Sequence, residues 1–271
     1  MISLDKIHIA TAITDNVFKD VVKVMASSFV RNNPDLQLHV YCLNFTNESY
    51  AAYCENFNLS GVVLHQIEYH NPYNNSAAVG IDRYHAILNC TGVKFKLAEA
   101  NTQDYLMWVD ADTFFAKPLS GIERFISHDA IYGVPRTKFV PISETAFNAG
   151  VLLFPKSMSE NILDRYTIYC YRVQEVNIDS LGWSDEHFIR DEFPAKGILP
   201  LIYNATPSNY SKNAVIGHLV GKIVPWETPT HVIENLRIPH KAIKPLCEAW
   251  LTEYQRAKPL LSYDFIKRVE A

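Results

Sequence analysis

An α/β fold with a mostly parallel central sheet, flanked by helices, is what this 271-residue sequence predicts. Three observations carry that expectation. Residues 7–67 read strand, helix, strand, helix, strand, the order that builds a parallel sheet with covered faces. The run Tyr105-Leu106-Met107-Trp108-Val109 goes straight into Asp110 and Asp112, which reads as a buried strand delivering carboxylates to a sheet edge. A second apolar run, Val151-Leu152-Leu153-Phe154, is entered through Ala149 and Gly150, small residues that let a ligand or another backbone approach closely.

Taken in order, Ile7–Ile13 forms the first strand, and Thr14, Asp15 and Asn16 supply capping oxygens for a helix over 17–30. Residues 36–43 alternate as a second strand, 49–57 form a helix and Val62–Ile67 a third strand. In such sheets ligands sit at the carboxyl ends of the strands, where the loop 11–16 lies. Residues 69–76 are polar and predict a loop, and 81–99 have helical character with Arg83, Lys94 and Lys96. After the strand carrying the two acids come a short helix (121–127), a strand (130–134), a loop (135–145) and the strand 147–154. Helices are expected over 158–173 and 184–190, the second with Asp185 and Glu186 in its first turn, where the helix dipole favours acids. A strand at 198–203 and the segment 215–218 lead to a loop at 219–226. In the tail, Leu246, Trp250 and Tyr254 are spaced for one apolar helical face.

Composition is that of an ordinary soluble protein, 48% hydrophobic and 20% charged. No linker, low-complexity run or repeat divides the chain, so the expectation is one domain over 1–236 with a helical extension at 237–271. The 25 basic residues against 29 acidic ones give a net charge of −4 without a basic block, which argues against nucleic acid as a partner. With no leader pattern and no bilayer-length apolar run, a cytoplasmic location is expected. Five cysteines without Cys-x-x-Cys spacing suit reduced thiols better than disulfides or a zinc site.

The chemistry starts at Asp110 and Asp112. In an extended segment alternate side chains share a face, so the two carboxylates reach one cation while Ala111 points away. Hard oxygen ligands favour Mn²⁺ or Mg²⁺, ions that complete their shell with water and substrate phosphates. A bare Asp-x-Asp is more often a solvated strand end, so the rest of the chain has to decide.

Three segments occur in a fixed order: Trp108-Val109-Asp110-Ala111-Asp112-Thr113, Phe147-Asn148-Ala149-Gly150-Val151, and His218-Leu219-Val220-Gly221-Lys222-Ile223-Val224-Pro225-Trp226. Together they resemble the family 8 glycosyltransferases across most of the chain. The resemblance implies a GT-A fold with a Rossmann-like sheet, a UDP-sugar donor, Mn²⁺ or Mg²⁺ dependence, a glycan or glycolipid acceptor, and transfer with retention. It makes Asp110, Asp112 and His218 the metal ligands, with Ala111 counted beside them at the donor. Thr11, Ala12, Thr14, Asp15 and Asn16 would line the uracil and ribose. Lys94 is directed at the donor, Asn148 and Gly150 at its sugar, and Gly221 lets backbone amides close on the diphosphate. Lys222 would reach the phosphates, because Val224 stands where the family usually has a basic residue before Pro-Trp. Asp185-Glu186 matches an Asp-Gln pair beneath the reacting sugar, with glutamate replacing glutamine. A carboxylate there can stabilise or attack an oxocarbenium-like centre; front-side attack, with the leaving phosphate oxygen taking the acceptor's proton, is the other route to retention, and the sequence leaves both open. Relatives acting on lipid-linked acceptors dock on the inner membrane face, but the tail of this chain is only mildly basic and has no continuous cationic face.

Two rival readings follow from the same residues. A haloacid-dehalogenase-like phosphatase also has an apolar strand ending Asp-Ala-Asp-Thr, with the first Asp as nucleophile and Mg²⁺ bound. It expects that motif near the N-terminus, and it leaves residues 218–226 unexplained. A nucleotide-sugar-binding protein without turnover is the other rival, motivated by Val224 and Glu186.

Overall fold

The structure, a computed structural model, describes residues 2–15, 18–70, 81–127, 130–136, 147–174, 184–193, 195–219 and 240–270. Nine strands are present among them: β1 Ile7–Ile13, β2 Leu38–Leu43, β3 Val62–Ile67, β4 Tyr105–Val109, β5 Thr113–Phe115, β6 Ile131–Pro135, β7 Phe147–Pro155, β8 Lys196–Ile198 and β9 Ile216–His218. The α-helices are α1 Phe18–Asn32, α2 Asn47–Asn56, α3 Ile81–Ala100, α4 Ile162–Gln174, α5 Ser184–Glu192, α6 His240–Ala257 and α7 Tyr263–Glu270.

Seven strands form one sheet in the order β3-β2-β1-β4-β7-β6-β8, and β5 pairs with β9 in a separate antiparallel ribbon. The first four strands of the large sheet run parallel. β7 is antiparallel to both of its neighbours, β4 and β6. Alternation along the strands divides the core: Ile7, Ile9 and Ile13 of β1 join Val22, Met25 and Phe29 of α1 on one face. Ala10 and Ala12 meet Phe95 of α3, Tyr166 of α4 and Phe188 of α5 on the other. The apolar stripe expected in the tail is real, since Leu246, Trp250 and Tyr254 of α6 are fully buried in a cluster with Val21 and Val24 of α1. α7 is tied to α1 by Asp20, whose carboxylate accepts from the Ser262 backbone N–H at 3.0 Å and its hydroxyl at 2.7 Å. Among the described residues no helix is long and apolar enough to cross a membrane.

Three local expectations are corrected. The strand expected at 198–203 lies earlier, at Lys196–Ile198, and Leu201–Asn204 is a 3-10 turn. Pro200 has no N–H to give to a ladder and starts the turn instead. The short helix expected at 121–127 is a single 3-10 turn, Ile122–Phe125, entered through Gly121 at φ 99°, a left-handed conformation that glycine adopts without cost. Finally, β4 stops at Val109, so Asp110 and Asp112 do not share a face of one strand. They sit in a tight turn, closed by the Thr113 N–H to Asp110 O at 3.3 Å and the Thr113 hydroxyl to the same oxygen at 2.8 Å.

One face of β1–β2–β3 carries a diagonal row of imidazoles. His8 and His39 rings lie 4.0 Å apart, His39 Nδ1 is 2.9 Å from His65 Nε2, and Tyr41 stacks on His65 at 4.5 Å. Burial, then the neighbouring rings of His8 and His65, lower the His39 pKa from 6.5 to about 4. Burial lowers those of His8 and His65 too. A histidine held neutral in the fold but free to protonate when unfolded weakens the fold as pH falls below the unfolded value. Stability is therefore expected to drop on going from pH 6.5 toward 4, with His39 contributing on the order of 2 kcal/mol after allowing for solvent screening. Urea melts of wild type and His39→Asn across that window check this. An equally steep loss in the variant would show that the row is not its source.

Candidate active site

Three strands bring the two acids and an imidazole together at the carboxyl end of β4. β4 delivers the turn holding Asp110 and Asp112, and β5 continues from it. β9 pairs with β5 so that Thr113 lies opposite His218, and Leu219 N–H donates to Asp112 O at 3.0 Å. His218 is thereby carried to both acids: its Nε2 is 3.8 Å from Asp110 Oδ2 and 3.3 Å from Asp112 Oδ1. One ligand atom from each of the three lies within 4.8 Å of the others. Two carboxylate oxygens and one imidazole nitrogen, open to solvent on the Asp110 side, are a donor set that suits Mn²⁺ or Mg²⁺ with positions left for substrate oxygens.

The surroundings hold this arrangement in place. Trp108 Nε1–H donates to Asp110 Oδ1 at 2.7 Å, leaving Oδ2 toward the imidazole. Burial alone would lower the His218 pKa, but the carboxylates of Asp112 and Asp110 outweigh it and raise it above the ordinary value. Burial and the nearby Asp112 raise that of Asp110 against the pull of Lys94 and His218. A cluster this anionic favours positive charge between its three side chains.

Behind the turn, β7 is irregular. Its pairing with β6 jumps from Gly133↔Leu152 to Val134↔Asn148, so residues 149–151 bulge out of the β6 ladder. A bulge frees backbone groups and re-aims them. Here Ala149 N–H donates to Glu186 Oε1 at 3.2 Å, Gly150 N–H donates to Asn148 Oδ1 at 3.1 Å, and Lys94 Nζ lies 3.4 Å from Ala149 O. On the β4 side Asp110 N–H donates to Gly150 O at 2.8 Å, fixing the acid-bearing turn to the bulge.

Asp185 and Glu186, in the first turn of α5, are buried against this bulge. Lys94 of α3 is only 2% exposed and pairs with Asp185 Oδ2 at 2.5 Å, with its ammonium 5.3 Å from the Trp108 ring centroid. Burial would lower the Lys94 pKa, but Asp185 and then Asp110 outweigh it, so the amine is held charged. Burial and the adjacent Asp185 push the Glu186 pKa up to about 7, although Arg136, the Ala149 N–H and Lys94 pull the other way. Arg136, at the end of β6, forms an ion pair with Glu186 Oε2.

The structure thus joins Asp110, Asp112, His218, Asn148, Gly150, Lys94, Asp185 and Glu186 in one region, with Ala111 in the turn between the acids. Thr11 and Ala12 lie at the carboxyl end of β1, buried, and the Thr11 hydroxyl has no hydrogen-bond partner among the described residues. Thr14 follows, half-buried. Asp15 is turned to the helices, pairing with Lys19 at 3.0 Å and accepting from the Ser49 hydroxyl at 2.8 Å. Asn16, Gly221 and Lys222 lie outside the described residues. Sequence reasoning did not find Arg136 or the role of Trp108, and it took Asn204 only as part of an acceptor-side loop at 203–210. Of these, Trp108 had a readable signal, because it stands two residues before Asp110, at the end of the strand that leads into the acid turn.

No family model matches the chain, and no curated protein sequence matches it. Solved structures do. The galactosyltransferase LgtC, in complex with donor and acceptor sugar analogues, aligns with a TM-score of 0.62 at 16% identity over 92% of this chain and 99% of its own. An active-site variant of LgtC, in which a glutamine is replaced by glutamate, aligns at 0.61. The glycosyltransferase GlyE of Streptococcus pneumoniae TIGR4 aligns at 0.62 and 14% identity over 94% of this chain, which spans 64% of GlyE. The sheet order, the antiparallel β7 and the acid turn at the end of β4 are therefore parts of a GT-A fold, the architecture this chain shares with those glycosyltransferases.

Proposed function

We propose that this chain is a metal-dependent, retaining glycosyltransferase that moves a hexose, glucose or galactose, from a UDP-sugar to a glycan or glycolipid acceptor. The observation that carries the reading is the meeting of Asp110, Asp112 and His218 at the end of β4, with the buried Lys94–Asp185 pair and Glu186 directly behind them. A divalent cation held by those three ligands supplies charge neutralisation for the departing nucleoside diphosphate.

The chain's own groups take defined parts in this reading. Asp110 and Asp112, with His218, would hold the cation at the diphosphate end of the donor, and Thr11, Ala12 and Thr14 at the carboxyl end of β1 receive the nucleoside. Asn148 and Gly150, on the bulge, face the hexose. Lys94 holds the Asp185 carboxylate in place through their ion pair. Glu186 sits where positive charge develops at the anomeric carbon, and its protonation state is balanced near neutrality by burial against Arg136. The sequence resemblance implies glutamine at this position, and this chain carries glutamate there. Retention has support from the sequence resemblance and from this buried acid.

Release of UDP from UDP-glucose and UDP-galactose, with and without Mn²⁺ and then with a chelator, tests the proposal. Mn²⁺-dependent UDP release is expected, faster with an acceptor glycan. Phosphate release from a phosphomonoester in place of UDP release would point to the phosphatase chemistry. Saturable UDP-sugar binding without turnover across acceptors would leave a binding protein.

A further inference from the structure

His218 is 4% exposed and its ring has two nitrogens, yet only Nε2 faces the carboxylates. Its Nδ1 lies 2.8 Å from Asn204 Oδ1. Asn204 is fully buried at the end of the 3-10 turn Leu201–Asn204, and its Nδ2 donates to Asn148 Oδ1 at 2.7 Å. Asn148 Oδ1 in turn accepts from the Gly150 backbone N–H at 3.1 Å.

Polarity along this chain of contacts is fixed from one end. A backbone N–H can only donate, so the Asn148 atom facing Gly150 must be its oxygen. That oxygen then requires a donor from Asn204, which must present its NH₂. The opposite edge of the Asn204 amide is accordingly its carbonyl, and a carbonyl requires a donor from His218. Nδ1 must therefore carry the proton, and Nε2 is left with a free lone pair whenever the imidazole is neutral. A histidine ligand needs that state.

We infer that Asn204, backed by Asn148 and the Gly150 amide, is a positioning residue that fixes the tautomer and ring orientation of His218, presenting Nε2 to the cation shared with Asp110 and Asp112. The inference rests on the metal-centre reading above and adds a residue to it that touches neither metal nor donor. The β7 bulge has a second task on this account: the same irregularity that aims Ala149 at Glu186 starts the relay that orders the third ligand. Asn204 is the last residue of the turn that Pro200 starts.

Mn²⁺ titration calorimetry on the full chain tests it, paired with ring ¹⁵N shifts of His218 in the metal-free protein at a pH where the ring is neutral. Asn204→Leu removes the acceptor and is expected to weaken Mn²⁺ about 10- to 100-fold and to lose the single Nδ1-protonated state. Asn204→Asp keeps an acceptor for Nδ1–H but gives up the NH₂ that Asn148 accepts, so it is expected to preserve the tautomer and to lose less Mn²⁺ affinity than Asn204→Leu. Asn148→Ala, which removes the support behind Asn204, provides the same test if Asn204→Leu does not melt cooperatively. Its expected result is a smaller loss in the same direction. Wild-type Mn²⁺ affinity and an unchanged tautomer in Asn204→Leu, or in Asn148→Ala in its stead, would overturn the inference while leaving the metal centre standing. A wild-type chain that binds no Mn²⁺ would overturn both.

Discussion

Asp112→Asn is expected to lower Mn²⁺-dependent UDP release by about 10²- to 10³-fold while the chain stays folded, and Asp110→Asn should do the same. The substitution preserves shape and one carbonyl oxygen but removes a formal charge from a three-ligand set in which only the two acids are anionic. A bound cation is worth several kcal/mol of charge stabilisation on a leaving diphosphate, and about 1.4 kcal/mol is tenfold in rate. Folding is spared because neither side chain is a packing element: they are 33% and 20% exposed, and the turn that holds them is closed by the Asp110 carbonyl and the Thr113 side chain. Trp108 Nε1–H still finds an oxygen on asparagine at 110. Rates at saturating Mn²⁺, set beside melting curves without metal, are the measurement. Wild-type Mn²⁺-dependent turnover in either variant would remove the acids from the site.

The second large effect is expected from the smallest change, Gly150→Ala. A methyl group at this position would fall far inside van der Waals contact with Cε1 and Nδ1 of His218, and at 3.0 Å from Asn148 Oδ1. The imidazole cannot step aside cheaply. Its backbone is held in β9, with His218 N–H donating to Ala205 O at 2.9 Å, and its ring is held by Asn204 at 2.8 Å. Overpacking of this kind costs about 1–3 kcal/mol, and relief comes only by driving His218 off the acids. Mn²⁺ binding and UDP release should both fall by 10²-fold or more, about what loss of one ligand at several kcal/mol implies, with a lowered but cooperative melt. Normal Mn²⁺ affinity in Gly150→Ala would mean that His218 is not held against the bulge. The requirement for glycine at 150 is thus explained by the approach of the imidazole, whether or not the sugar also passes there.

The sequence was most readable where local pattern and final structure coincide. β2 is legible because its alternation matches the buried and half-buried positions it takes in the sheet, β1 and β3 because they are short apolar runs rich in β-branched residues, and α6 because Leu246, Trp250 and Tyr254 repeat at helical spacing. The acid pair was legible as a pair, although the reason given for its convergence was not the right one: a turn, not a pleat, brings the carboxylates together. Hydrophobic pattern misled at 198–203, where Ile198, Leu199, Leu201 and Ile202 look like a strand and Pro200 decides otherwise. The roles of Arg136 and Asn204 were not legible because their partners lie fifty residues away for Arg136 and across the β7 bulge for Asn204. A bulge is set by the register between two strands, and one strand's residues do not encode it alone.

The β5–β9 ribbon rests on Phe114 and Leu219, which share a cluster with α1 and with the tail helix α6. A cation joining Asp112 to His218 would therefore act as a clasp between the middle of the chain and a segment seated on its tail. Occupancy of the clasp and seating of the tail are then reciprocal quantities: whatever loosens α6 weakens the cation's hold, and whatever fills the clasp tightens the tail by the same free energy.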